Sequence, residues 1–138
     1  NNRIVNAHIR NIDFNRHNDA HLFRASQEGI AFALRYGFDI MRENGIHPSV
    51  IRAGKANMFL SKIFTEAFVN ATNTPVEFYD TDGSAGAAIG AALGAGFYSS
   101  AKEAFSNYKS TGKEEPLQSG LYNDLYERWK AILLEQLN

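Results

Sequence analysis

The stretch from Asp19 to roughly Glu43 restricts the fold of this chain more than any other. Leu22, Ala25, Gly29, Phe32, Ala33, Tyr36 and Ile40 recur at the i, i+3, i+4, i+7 spacing of one helical face. Phe23, Ile30, Leu34 and Met41 carry apolar surface well past that face. The polar remainder is narrow, and it places Arg24 four residues before Glu28 and Arg35 four residues before Asp39. Gly45 and Pro48 then end the helix. A helix apolar round most of its circumference is normally buried between layers, so the chain needs packing partners on more than one side of it.

The following segments supply some of them. Val50-Ile51 is a short β-branched run that leads into the corner Arg52-Ala53-Gly54-Lys55. A second helix then carries Leu60, Ile63, Phe64, Ala67, Phe68 and Ala71 on one face, so residues 49–72 read as strand, corner and helix. "NATNT" ends that helix, and "VEFYD" after Pro75 alternates as a strand does. "DTDGS" turns into a Gly/Ala-rich helix over about 84–98, with Asp82 or Ser84 at its cap. The polar linker "SNYKSTGKEEP" leads to a final amphipathic helix over about 119–137, through Leu121, Leu125, Trp129, Ile132 and Leu133. Alternating strands and helices imply an α/β fold with short parallel strands joined by crossovers. Two strands make a poor sheet of that kind. More must come from Ile4–Phe14, where Arg3-Ile4-Val5 and Ala7-His8-Ile9 resemble strand pieces, or from sequence beyond this chain.

The bulk numbers exclude several function classes. At 138 residues the chain suits one domain with a sizeable core, and its 44% apolar content argues against disorder. Fourteen basic against fifteen acidic residues create no field directed at nucleic acid or an anionic membrane. No cysteine is present, so thiolate chemistry and disulfides are ruled out. No apolar run reaches the roughly 20 residues of a spanning helix. These features predict a cytoplasmic protein with no nucleic-acid or membrane partner. The opening "NNRIVNAHIRNIDF", without an initiator Met, reads as the start of an excised piece of a longer protein.

Three small-residue or polar constellations remain. Gly86, Gly90 and Gly94 repeat every fourth residue, at about 1 kcal/mol each against Ala, which predicts close packing of that helix on a neighbour. His17 and His21 have the spacing of a metal pair on a helix but lack a third ligand, so no metal is expected. The corner at 52–57 has two readings. It is a turn with a helix cap, or a place where backbone N–H groups and a helix start meet an anion or a polar ring. Gly54 has no Cβ to block such an approach, and Asn57 can donate and accept.

"HLFRASQEGIAFALRYGFDIM", "IRAGKANMFLSKIF" and "DGSAGAAIGAALGAG" together resemble the carboxy-terminal part of the FGGY carbohydrate kinases, most closely the bacterial xylulose kinases. The motifs stand in that family's order and spacing and touch nearly all of residues 7–98. His21, Leu22, Arg24-Ala25 and Glu28-Gly29 match the start of its long helix, and Asn57 matches the small polar residue in the first turn after its glycine corner. Where the family has Gly-Gly-Gly or Gly-Gly-Ala, this chain has Arg52, Ala53 and Gly54. Thr81 separates the acids before the last Gly-Ala helix.

The resemblance implies a partial actin-like (ribonuclease-H-like) ATPase fold, with residues 1–138 as the distal part of the second domain, on the nucleotide side. It implies transfer of the ATP γ-phosphate to a sugar hydroxyl, D-xylulose giving D-xylulose 5-phosphate. ATP contacts would come from Ala53, Gly54, Lys55 and Asn57, and Mg²⁺ would accompany ATP with no ligand from this chain. No catalytic residue falls in 1–138, because the family's general-base Asp lies upstream with most of the sugar contacts. The piece alone is therefore expected to be inactive, with the missing amino-terminal domain as its partner and a homo-oligomer compatible with it. The alternative is a non-catalytic nucleotide-binding or assembly module of the actin-like superfamily.

Overall fold

The computed structural model describes residues 5–106 and 108–137. Helix α1 (Asp19–Glu43) begins with a reciprocal cap: the Asn18 side chain accepts from the His21 amide, and the Asn18 amide donates to His21 Nδ1. It ends at Asn44, followed by Gly45 at φ +82°. Both i, i+4 ion pairs form on it, Arg24–Glu28 and Arg35–Asp39, each at 2.7 Å.

Strand β1 (Ile51–Gly54) runs parallel to β2 (Val76–Tyr79), with Ile51 opposite Val76 and Gly54 opposite Tyr79. A 3₁₀ turn (Asn57–Leu60) and helix α2 (Lys62–Thr72) make the crossover between them. Helices α3 (Gly83–Gly94) and α4 (Ala101–Ala104) follow, then β3 (Ser110–Glu114) and α5 (Ser119–Leu137). β3 pairs antiparallel with β2, which gives the strand order β1-β2-β3. Among the described residues no helix is long and apolar enough to cross a membrane.

The third strand corrects the sequence reading. It comes from the polar linker, while residues 5–14 form no strand; Arg3 and Ile4 lie outside the described residues. All five residues of β3 are exposed, so it lacks the apolar alternation by which a strand is recognised. Neighbouring backbone, not side-chain burial, holds it in place: its register runs from Val76 opposite Glu114 to Tyr79 opposite Ser110.

The helix buried on most sides is α2, not α1. Every residue from Phe64 to Thr72 except Glu66 is buried, because α2 lies between α1, α5 and the sheet. Phe59 meets Phe64, Phe68 and Phe78 edge to face at 5.2–5.5 Å, and Phe38 meets Phe68 the same way. Leu60 falls in the 3₁₀ turn rather than the helix and is 68% exposed. In α1 only Ala31 and Phe32 are buried, and Phe23, Ile30, Leu34, Ile40 and Met41 stay exposed. Of these, Ile30 borders a cleft lined also by residues 5–12.

Two hydrogen-bonded clasps join the helices. Arg35 and Arg42 donate to the carbonyls of Ala71 and Thr72 at the carboxyl end of α2, where cations offset the helix dipole. Asp39 binds both guanidiniums and accepts from Tyr126 Oη of α5 at 2.6 Å. The second clasp joins Arg24, Tyr122 and Glu66: Arg24 donates to Tyr122 Oη at 2.9 Å, which donates to Glu66 at 3.1 Å. Asn70 fixes the start of α5 by accepting from the amides of Leu117 and Gln118. Tyr122 and Tyr126, rather than Leu121, are therefore the residues α5 buries, since their rings fill the groove while their hydroxyls reach carboxylates.

Candidate functional site

The carboxyl ends of β1 and β2 lie side by side, and that is where ligands of open α/β sheets are bound. Two loops leave them, residues 55–57 after β1 and 80–82 after β2. Asp82 caps α3 by accepting from the Ser84 and Ala85 amides at 2.9 and 3.2 Å and from the Ser84 hydroxyl. The Ser84 hydroxyl, then the two amides, hold the exposed Asp82 carboxyl below the usual carboxylate range. The acid and the helix start thus satisfy each other.

Gly54 has a structural reason to be glycine. A Cβ at this position would stand 2.1 Å from the Thr81 carbonyl oxygen and 3.1 Å from the Asp82 Cα. The side of Gly54 that lacks a Cβ is occupied by the neighbouring loop, not open to a ligand. Its amide points elsewhere. Ile51 and Lys55 donate to the β2-side carbonyls of Pro75 and Tyr79, at 2.8 and 2.9 Å. Parallel pairing alternates along a strand, so the Arg52 and Gly54 amides face away from β2.

The other corner residues separate in role. Ala53 is partly buried against the core, and its backbone is turned toward β2 in the parallel ladder. Lys55 is exposed and lines a cleft of about 490 Å³ between the 3₁₀ turn, α2 and β3; Ala53, Gly54 and Asn57 do not line it. Asn57 is exposed and sits at φ +52°, a left-handed conformation that asparagine tolerates better than most residues. It does not cap α2. Ser61 does, accepting from the Phe64 amide.

Arg52 is engaged on the opposite face of the sheet. Its guanidinium lies 3.4 Å from Glu77, 3.3 Å from Tyr79 Oη and 5.6 Å from the centre of the Phe105 ring. A charge at the first position of the corner is therefore absorbed by the strand beside it. Its pairing could be read only once Arg52 and Glu77 were known to be opposite each other in register.

The histidines serve the entry to α1. His17 Nδ1 accepts from the Asp13 amide, and His21 takes part in the Asn18 cap. The Gly/Ala helix also departs from expectation. Gly86, Gly90 and Gly94 meet nothing within 4 Å of a built Cβ, Ile89 is the one buried residue of α3, and Phe97 beyond it is 81% exposed. Among the described residues nothing packs closely on these three glycines.

No protein-family model matches the chain. Among curated proteins it is 30% identical over 133 residues to the autoinducer-2 kinase of Escherichia coli O139:H28 (strain E24377A / ETEC), and equally to that of strain K12. These matches cover 91% of this chain and 25% of each relative, so the chain spans about a quarter of the length of the curated relatives it matches. Among solved structures it superposes on the xylulose kinase of Rhodospirillum rubrum (TM-score 0.68, 22% identity, 87% of this chain and 25% of that one). The ligand-bound xylulose kinase of Lactobacillus acidophilus gives the same TM-score at 20% identity, over 86% of this chain and 25% of that one. The resemblance carried by the three motifs is borne out in both sequence and fold. The α/β architecture is shared with about a quarter of each of these two solved chains.

Proposed function

We propose that the chain is the distal, nucleotide-side part of an ATP-dependent carbohydrate kinase. The observation that carries this is the corner at the carboxyl end of β1, in a chain whose relatives are kinases in both sequence and fold. ATP would bring the phosphoryl group, with Mg²⁺ held outside these residues. This chain's part is to bind and orient the nucleoside end. The outward Gly54 amide, the Asn57 side chain and the Lys55 side chain are the groups available for it, because the Ala53 backbone is turned toward β2 in the ladder. Phosphoryl transfer depends on positioning and charge stabilisation from both walls of a cleft, so one wall is not a catalyst.

D-Xylulose is the acceptor this reading favours, after the fold relatives; autoinducer-2 is the second, after the sequence relatives. A coupled ADP-release assay on the whole protein with each acceptor distinguishes them. The expected result is acceptor-dependent ATP use by the whole protein and none by residues 1–138. Turnover by the 138-residue chain would overturn the one-wall reading. ATP binding by the whole protein without turnover on either acceptor would point to the non-catalytic nucleotide module.

A further inference from the structure

We infer that the cleft between the 3₁₀ turn, α2 and β3 binds a small amphipathic anion, with a flat apolar body on Phe59 and Phe78 and a phosphate or carboxylate reaching Lys55 and Lys62. The inference goes beyond the kinase reading and does not depend on it.

The cleft has the dimensions and the floor of a small-molecule site. Its volume of about 490 Å³ falls in the range that such sites occupy. Phe59 and Phe78 meet edge to face at 5.5 Å on its lining, which buried Val69 shares. One bank is held in place, since Leu117 and Gln118 donate their amides to Asn70 Oδ1. Gly112 keeps the space over the floor clear. It stands directly opposite Phe78, so the two positions share one face of the sheet, and a Cβ built on Gly112 meets nothing within 4 Å. Leu60 and Leu117, both strongly exposed, extend the apolar surface to the rim.

The charges on the lining set the sign of the ligand. Glu66 accepts from Tyr122 Oη and pairs with Arg24, and Lys113 pairs with Glu115 at 2.6 Å. Lys113 stands opposite Glu77, which stands opposite Arg52, so its side chain belongs to the sheet face away from α2. Lys55, Lys62 and Glu114 remain, and among the described residues none of the three has an ion pair. Two ammoniums against one carboxylate favour an anion. Inorganic phosphate would leave the aromatic floor in water, and a neutral ring would leave both ammoniums unused. A ligand that carries a ring and an anionic group answers both.

Titration calorimetry on the whole protein with phenyl phosphate tests this, with inorganic phosphate and benzyl alcohol as controls and with ATP absent or present. Phenyl phosphate is expected to bind at least about tenfold more tightly than either control, and to keep binding when ATP is present. Lys62→Met should weaken it about fivefold, the upper end for an exposed ion pair. Gly112→Val fills the clear space and should abolish binding at an unchanged melting temperature, since a β-branched residue suits a strand. If Gly112→Val lowers the melting temperature, Lys62→Met alone decides. Equal binding of either control, or no saturable binding by about 10 mM phenyl phosphate, would overturn the site. So would binding that survives both substitutions, and its displacement by ATP would then place the probe at the nucleotide corner instead.

Discussion

Gly54 and the carbonyl of Thr81 are in such close approach that a Cβ at position 54 would stand 2.1 Å from the Thr81 oxygen. The contact joins the ends of the two parallel strands and sets the angle at which their loops leave the sheet. Gly54→Ala should therefore destabilise the 138-residue chain with no ligand present, by about 1–3 kcal/mol, the usual cost of overpacking. Urea unfolding measures it. An unchanged midpoint would mean that the 80–82 loop yields freely and that the glycine is not there for this contact.

Asn57 raises a separable question, because its left-handed backbone and its amide side chain are both reasons for its identity. Asn57→Gly keeps the backbone and deletes the side chain, whereas Asn57→Ala adds a left-handed strain of about 1 kcal/mol. In the whole protein, loss of one hydrogen bond should raise KM for ATP roughly two- to tenfold in both variants. Only the alanine variant should also lose stability. A glycine variant with an unaltered KM would reduce Asn57 to a backbone role.

Asp39 should make the fold acid-sensitive. Burial works against its charge, but hydrogen bonds from Tyr126 and Arg35 outweigh that and hold its carboxyl below the ordinary range. A carboxylate depressed in the folded state contributes stability that is complete above its unfolded value of about 3.9 and is lost as pH falls through the folded value. Asp39→Asn should lose most stability near neutral pH, and its melting curves should converge with the unaltered chain as pH falls below about 4. Parallel curves across that window would show that Asp39 contributes no pH-dependent term.

The periodicity of α1, its two ion pairs and the Asp82 cap were legible in the sequence because each depends on residues within four positions of one another. The three motifs carried the resemblance for a related reason, since each is a contiguous run that is read without knowledge of what packs against it. Contacts between distant residues were not legible. The pairing of polar Ser110–Glu114 with β2, the Arg52–Glu77 contact, the burial of Tyr122 and Tyr126 and the contact of Gly54 with Thr81 all depend on how separate segments are brought together. Periodicity reports which side of a helix is apolar, not what lies against it. The apolar faces of α1 and α3 were thus visible in the sequence, and only the tertiary structure decided that α2 takes the centre while those two faces stay bare.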